Sequence, residues 1–595
     1  MDRNAVIGFI LIGLILMIWM WTNAPPPTKA PAGFDSALVH QTHPDTAKNL
    51  PAQPGNVQAG KDTLGKYFSS AESGQTKVIT IETKHYRAKI STKGGTIESW
   101  ELKEYKTWDQ YPVNLIDGAD TRDFNLMFYS TDGKLINTKN LAFQSDLADG
   151  TVLTLADQES LKVDFVLKAG DRSRIVKSLV FNGSLYSFDA VYRFEGMENI
   201  IANFEYQVTW ESGLRYEERN TVNESNFAKS SVFAGGELTD VDASNFNEPL
   251  KQNISGRVEW IAARNKYFAV ALIPREKTSQ GAYLEGNRVK LPDNGAKENY
   301  SIALKMPFIG HPVETDRITV FLGPLDFGVV KYYNVELDRI MSLGAVWIIR
   351  PISRYVILPL FEFLRLFISN YGVILIIFSI IVKVVLYPLT KSSMTSMRKM
   401  QALQPMMTEI REKFKDDPQK MNQQIMRLYK EYGVNPAGGC LPMLLQLPIL
   451  YALWAVFSAT IELRQAHFVW WIQDLSSPDV IAVLPFKLPL FSINELSGLA
   501  LLMGITMFVQ QKMTVKDPRQ KMMVWLMPVM LTLMFTSFPS GLNLYYFMFN
   551  LFSIAQQMWV NKQHENEPLR KVDEKKQSGG WINKIAKQLP KAPKK

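Results

Sequence analysis

The sequence predicts a multi-domain membrane protein: an N-terminal transmembrane anchor, a large antiparallel β-sandwich domain, and a five-helix α-helical transmembrane core with a cytoplasmic helical hairpin. Three observations predict it. Long apolar runs occupy the first 21 residues and the stretch 340 to 560, apolar residues alternate with period two between about Val78 and Leu325, and lysine and arginine gather in short segments between the later apolar runs. A chain of 595 residues has room for several domains. A mean hydropathy of −0.07 averages over these unlike regions.

Ala5 to Trp21 is an unbroken apolar run preceded by Asp2 and Arg3, at the short end of what a ~30 Å hydrocarbon core requires. It ends in Trp19, Met20 and Trp21 and then Pro25-Pro26-Pro27, with no small-x-small cleavage site, so residues 1–22 read as a retained anchor. Residues 23–75 are rich in Pro, Ala, Gln, Lys and Gly and read as an extended linker.

Residues 76–340 form the β-sandwich domain. Leu161, Val163, Phe165 and Leu167 alternate with more polar neighbours, as do Phe188, Ala190, Tyr192 and Phe194, the mark of half-buried strands. Further strands are expected at Tyr86 to Ile90, Tyr267 to Ile273, Tyr300 to Leu304 and Ile318 to Leu322, with Gly94-Gly95, Asp132-Gly133 and Asn182-Gly183 as turns. The lone cysteine, Cys440, cannot form an intrachain disulfide, so this domain must be stable from its own core. A carbohydrate-binding, mutarotase-like role and a non-catalytic docking role are both open. His85 and His311 are isolated and read as structural.

Residues 341–368 carry Arg350, Arg354, Glu362 and Arg365 among apolar neighbours and read as an interfacial amphipathic helix. The core, 369–560, divides into spans at Tyr371 to Leu389, Leu441 to Ile461, Leu496 to Gln510, Met522 to Phe538 and Leu542 to Val560. Segments 390–440 and 512–521 and the tail 561–595 are basic, whereas 465–495 has Lys487 against Asp474, Asp479 and Glu495. The basic segments therefore belong in the cytoplasm, with both termini, and the β domain outside. The excess charge of +9 thus reads as topology. Nucleic acid is an unusual partner for such a chain, although the tail could touch anionic lipid or ribosomal RNA, or simply solubilise the end.

Lys383 is the one full charge well inside an expected span. Two accounts stand: its stem snorkels to the inner headgroups, or it faces a water-filled cavity. Polar residues on the other spans favour the cavity: Ser379 four residues before Lys383, Gln446, Thr506 with Gln510, Thr532 with Thr536, and Asn543 with Tyr546 and Asn550. Individually such groups act as interhelical hydrogen-bond glue. No acidic residue lies mid-span, which weighs against a proton-coupled transporter.

Segment 391–434 reads as the hairpin. Its first helix presents Met394, Met397, Met400 and Met407, and Asp417-Pro418 starts the second as N-cap and N1. Eighteen of 25 methionines follow residue 390, and thioether side chains make adaptable apolar surfaces. No Walker loop, HExxH or nucleophile elbow is present, so no catalytic residue, metal or cofactor is expected.

Tyr387-Pro388-Leu389-Thr390-Lys391, Asn435-Pro436 with Gly438-Gly439-Cys440 and Pro442, Glu462-Leu463-Arg464-Gln465-Ala466, and Phe538-Pro539-Ser540-Gly541-Leu542 with Tyr545-Tyr546 together make the region 350 to 560 resemble the YidC/Oxa/Alb family of membrane protein insertases, in its Gram-negative form. The resemblance implies an inner-membrane insertase and chaperone, not an enzyme. It implies a hydrophilic groove open to cytoplasm and lipid but closed toward the periplasm, and a periplasmic β-supersandwich. Lys383 would be the cation that attracts acidic substrate tails, with Ser379, Gln446 and Tyr546 in the groove, and the substrate would leave along the third and fifth spans. The family usually has arginine at this position; lysine keeps the charge and loses the planar fork. The implied partners are nascent inner-membrane proteins, the Sec translocon, ribosomes and the phospholipid bilayer. A secondary transporter and a membrane-anchored carbohydrate-binding protein are the alternatives.

Overall fold

The computed structural model describes residues 64–116, 119–345, 347–434, 441–488, 493–515 and 521–563, together with Lys571. The expected anchor, most of the linker, Cys440 and nearly all of the basic tail lie outside the described residues. The chain divides into two compact units that meet in sequence at Met341 and Ser342.

The first unit is almost entirely β. Strands β1 (Val78–Glu82), β2 (Tyr86–Ser91), β3 (Thr96–Lys106), β4 (Pro112–Asn114), β5 (Asn125–Tyr129), β6 (Leu135–Asn137), β7 (Val152–Thr154), β8 (Ser160–Lys168), β9 (Arg174–Asn182), β10 (Ser187–Glu195), β11 (Glu205–Trp210), β12 (Lys229–Ala234), β13 (Glu237–Val241), β14 (Leu250–Ser255), β15 (Val258–Arg264), β16 (Phe268–Pro274), β17 (Gly281–Lys290), β18 (Ala296–Pro307) and β19 (Val313–Pro324) follow one another. They build sheets of order β4-β3-β2-β1-β7, β13-β12-β15-β16-β19-β10-β9-β8 and β14-β17-β18-β11-β5-β6. The expected alternation is present: Val163, Phe165 and Leu167 of β8 and Phe188, Ala190, Tyr192 and Phe194 of β10 are buried. Aromatic contacts join the sheets, Tyr192 and Phe194 of β10 meeting Tyr206 of β11, and Trp100 of β3 meeting Phe188. Gly94 (φ 77°) and Gly95 (φ 56°) make the β2–β3 turn in left-handed conformations that favour glycine.

Among the described strands one pair departs from the antiparallel expectation, β1 running parallel to β7 through Thr80 and Val152. Strands such as β14, Leu250–Ser255, give no sequence signal: as a sheet edge it has no buried residue and needs no alternation. His85 lies 3.3 Å from Glu104 with its ring against Tyr186, a structural setting.

The second unit is helical. Before its first long helix the chain makes a helical turn at Ile349–Ile352, a π-helical turn at Ser353–Ile357 and then helix α1 (Leu358–Arg365). The uniform helix expected over 341–368 is thus interrupted. Pro359 has no N–H to bond back and crowds the preceding turn, and the wider π geometry accommodates it. Helix α2 (Tyr371–Val385) begins at the Asn370 N-cap, whose side chain accepts a bond from Val373 N–H at 3.2 Å. It stops four residues short of the expected end because Pro388 cannot continue it. Helix α3 (Tyr387–Ala402) leaves at a bend of 69°.

Helices α4 (Gln404–Lys413) and α5 (Pro418–Glu431) form the hairpin, and Asp417 caps α5 by accepting from Lys420 N–H at 3.0 Å. Then come α6 (Leu441–Ala459), strands β20 (Val480–Leu488) and β21 (Ile493–Ser497), and helices α7 (Gly498–Thr514), α8 (Lys521–Phe535) and α9 (Ser540–Gln563). The connection over 465–495 contains a β-ribbon, and Leu496, expected to begin the next span, belongs to this ribbon and not to the following helix. Among the described residues no single helix is long and apolar enough to cross a membrane; α2 and Thr390–Ala402 are so only together, as a bent pair.

Candidate functional site

Because α2 ends at Val385, Lys383 sits in its last turn, where the helix dipole favours a cation. The expected span ran on to Leu389, so Lys383 is nearer the end of its helix than those bounds imply. Its Nζ donates to Ser553 Oγ of α9 at 2.6 Å and lies 4.5 Å from the centre of the Phe549 ring. Ser553 Oγ in turn donates to the Phe549 carbonyl at 2.7 Å. Among the described residues no carboxylate pairs with Lys383, so a half-buried cation is held by one hydroxyl and one ring face.

The structure treats the other expected polar residues unequally. Ser379 is fully buried and donates to Leu375 O at 2.7 Å. Thr506 donates to Met503 O at 2.8 Å, Thr532 to Pro528 O at 2.7 Å and Thr536 to Thr532 O at 3.1 Å. The bonds expected between helices are therefore within helices, since a Ser or Thr hydroxyl on a helix easily reaches the carbonyl three or four residues back. None of the four hydroxyls bonds to Lys383. Thr532 has a packing role as well: a Cβ on Gly504 would lie 1.9 Å from its Oγ1, so α7 and α8 make close contact there.

Helix α9 carries the continuous feature. Asn543, Tyr546, Asn550, Ser553 and Gln557 fall at i, i+3, i+7, i+10 and i+14, one stripe about a quarter-turn wide. All but the half-buried Tyr546 are buried. Asn543 Nδ2 donates to Phe535 O at 3.1 Å, and Tyr546 packs edge-on against Phe535. Asn543 Oδ1, Asn550 Nδ2 and Gln446 Nε2 are buried with no hydrogen-bond partner among the described residues, groups that favour water or a polar ligand beside them. Ser553 and Phe549 escaped the sequence reading, although the Asn543-Tyr546-Asn550 spacing, continued three residues further, reaches Ser553.

One end of the unit is sewn shut. Asp479 accepts from Trp471 Nε1 at 2.9 Å and Leu499 N–H at 2.7 Å and pairs with the Ser497 hydroxyl, closing the start of α7. Ser540 Oγ donates to Asp474 O at 2.7 Å and Gly541 N–H to Leu475 O at 2.9 Å, fixing the start of α9. A Cβ on Gly541 would meet that same carbonyl at 3.0 Å, which accounts for the Ser540-Gly541 pair in the sequence. Lys383 lies toward the opposite end, where the hairpin emerges and Gln401 Nε2 donates to the last carbonyls of α7, at 2.6 Å from Thr514 O.

Of the four hairpin methionines expected at a contact surface, Met407 is only 3% exposed. It packs with Leu403, Leu428, Tyr429, Tyr432 and Val434 and accepts the Tyr429 hydroxyl at 3.4 Å. Met400 borders the same cluster, Met394 is buried and Met397 is half-buried. Met407 and Met394 are thus committed to packing, and the outward methionines are Met406 and Met426. The helix breaks at Leu403, ahead of Pro405, so Met394, Met397 and Met400 lie on α3 and Met407 on α4, and no single helix face presents all four.

Comparison with known proteins gives concordant matches. The family model described as the 60Kd inner membrane protein matches residues 363–567, and that of the YidC periplasmic domain matches 78–354. The membrane protein insertase YidC of Chlorobaculum parvum is 40% identical over 573 residues, 95% of this chain and 96% of the relative. That of Chlorobaculum tepidum is 39% identical over 94% of this chain and 95% of the relative. A solved structure described as an active YidC insertase with its first transmembrane domain resolved is 20% identical, covering 82% of this chain and 93% of that chain, with a TM-score of 0.35.

Proposed function

The chain belongs to the family of the membrane protein insertase YidC, and on that premise we propose that Lys383 and the polar stripe of α9 receive the hydrophilic tail of a substrate. The protein is an inner-membrane insertase with a periplasmic domain; it acts on nascent membrane proteins and is not an enzyme. The observation that carries the site is the half-buried Lys383 ammonium, held without a carboxylate partner among the described residues and in the same helical unit as the orphaned amides of Asn550 and Gln446.

In this reading α2, α6, α7, α8 and α9 are the five core spans, residues 5–21 an additional anchor, 341–368 an interfacial segment and 76–340 the periplasmic domain. Both termini are cytoplasmic. The arrangement is supported by Lys391, Arg398, Lys399 and Lys512 toward the hairpin end and by Asp474 and Asp479 at the closed end. An acidic tail enters from the hairpin end, is drawn to Lys383, and crosses as its apolar segment partitions into lipid at about 25 cal/mol per Å². Ser379, Thr506, Thr532 and Thr536 shape the walls, while Gln446, Asn543 and Tyr546 offer polar contact. The exposed Lys420, Arg427 and Lys430 of α5 suit an anionic partner such as ribosomal RNA, and the Sec translocon is a further partner.

Reversing the charge changes the interaction with a carboxylate about 5 Å away by about 3 kcal/mol in each direction at an effective dielectric constant of about 20. Lys383→Glu should therefore impair insertion of substrates with acidic tails in reconstituted vesicles, and Lys383→Arg should retain it. Equal activity of the wild type and both variants would refute the charge mechanism. Photocrosslinking to a nascent chain from Gln446 and Tyr546 tests the path directly.

A further inference from the structure

Ser553 occupies an unusual position between two partners. Its one hydroxyl hydrogen is engaged by the Phe549 carbonyl at 2.7 Å, so the oxygen that meets Lys383 at 2.6 Å can only accept. An acceptor fixed in this way suits an ammonium donor. The Phe549 ring, four residues earlier on the same helix, presents its face to the same nitrogen at 4.5 Å. Lysine, unlike arginine, is a compact point charge on a flexible four-carbon stem, and nothing in the stem itself sets where the charge points.

We propose that Ser553 is a positioning residue that, with the Phe549 ring, seats the Lys383 ammonium on α9 and so sets its preference for acidic substrate tails. The seat occupies one of three N–H donors and leaves the others for a substrate carboxylate. It also ties α2 to α9 across 170 positions of sequence, and Gln556 Nε2, donating to Thr390 Oγ1 at 3.2 Å, joins α9 to α3 nearby. The proposal rests on the reading of Lys383 as the substrate-facing cation.

The test uses the full chain in proteoliposomes and two single-span substrates that differ only by Asp or Asn at one position of the translocated tail. The readout is the ratio of acidic-tail to neutral-tail insertion, which a general loss of packing would not move. Ser553→Ala should lower that ratio about three- to tenfold, since a charge-assisted hydrogen bond is lost and only partly replaced by water. Ser553→Thr keeps the acceptor and the bond to the fourth preceding carbonyl and should restore the ratio. Phe549→Leu should lower it independently and serves if the alanine variant does not fold.

An unchanged ratio in Ser553→Ala or in Phe549→Leu, or an equal fall in Ser553→Ala and Ser553→Thr, overturns the proposal. Lys383→Gln separates the two levels. If it abolishes the acidic preference while Ser553→Ala does not, only the seat is wrong; if it leaves the preference intact, the charge reading itself fails.

Discussion

Glu224 gives a pH signature to the β domain that can be worked out in sign and size. Its carboxylate is 1% exposed and accepts backbone N–H bonds from Glu217 at 3.0 Å and Glu218 at 2.9 Å. Burial pushes its pKa from the usual 4.5 up to about 8, against the pull of those donors. Because the folded value is the higher one, the associated stability is fully present below about pH 4.5 and is lost as pH rises through about 8. The ceiling is about 1.4 kcal/mol per pH unit, or roughly 5 kcal/mol across the window, before local relaxation reduces it. Glu224→Gln keeps the shape and removes the titration.

Amide hydrogen exchange on the full-length protein, comparing wild type with Glu224→Gln at each pH so that intrinsic exchange rates cancel, reads the opening of residues 216–228 directly. Wild-type protection relative to the variant should fall as pH rises from 5 to 8, by up to tenfold per unit. A ratio that is flat over this window would refute the burial argument.

Gly504→Ala should lower the thermal midpoint in detergent: helix propensity gains up to about 1 kcal/mol, but the new methyl would fall 1.9 Å from Thr532 Oγ1, an overpacking cost of about 1–3 kcal/mol. Adding Thr532→Ala should relieve that loss, and additive single effects would contradict it. Arg264, 2% exposed, donates to the carbonyls of Asn265, Lys266 and Ile340 at 2.8 to 2.9 Å. Arg264→Leu orphans these groups and should cost about 3 kcal/mol or more in a denaturant titration of the β domain; a loss under 1 kcal/mol would show that water replaces the guanidinium.

Much of the fold was legible in the sequence wherever a local rule had no competitor. The alternation in β8 and β10, the Gly94-Gly95 turn and the Asp417-Pro418 helix start all appear as read, because each depends on residues within a few positions of one another. Boundaries failed where a proline or a cap intervened: Pro388 ended α2 early, Pro359 widened a turn, and Ser497 moved the start of α7 by accepting from Ala500 N–H. The hydroxyls of Ser379, Thr506, Thr532 and Thr536 were legible as polar groups on helices, but not as groups already satisfied by their own carbonyls.

By itself the sequence determined the division into a β domain and a helical unit, the unequal charge of the segments between the apolar runs, and the family motifs. It also marked Lys383 as a cation needing explanation. Only the tertiary structure decided that its partners are Ser553 and Phe549, that Met407 packs inward while Met406 and Met426 face out, and that Asp474 and Asp479 close one end. The physical reason is range. Helical and strand periods are set by neighbouring residues and survive in any fold, whereas the choice between an intrahelical carbonyl and a hydroxyl 170 residues away is made only when two helices come into contact.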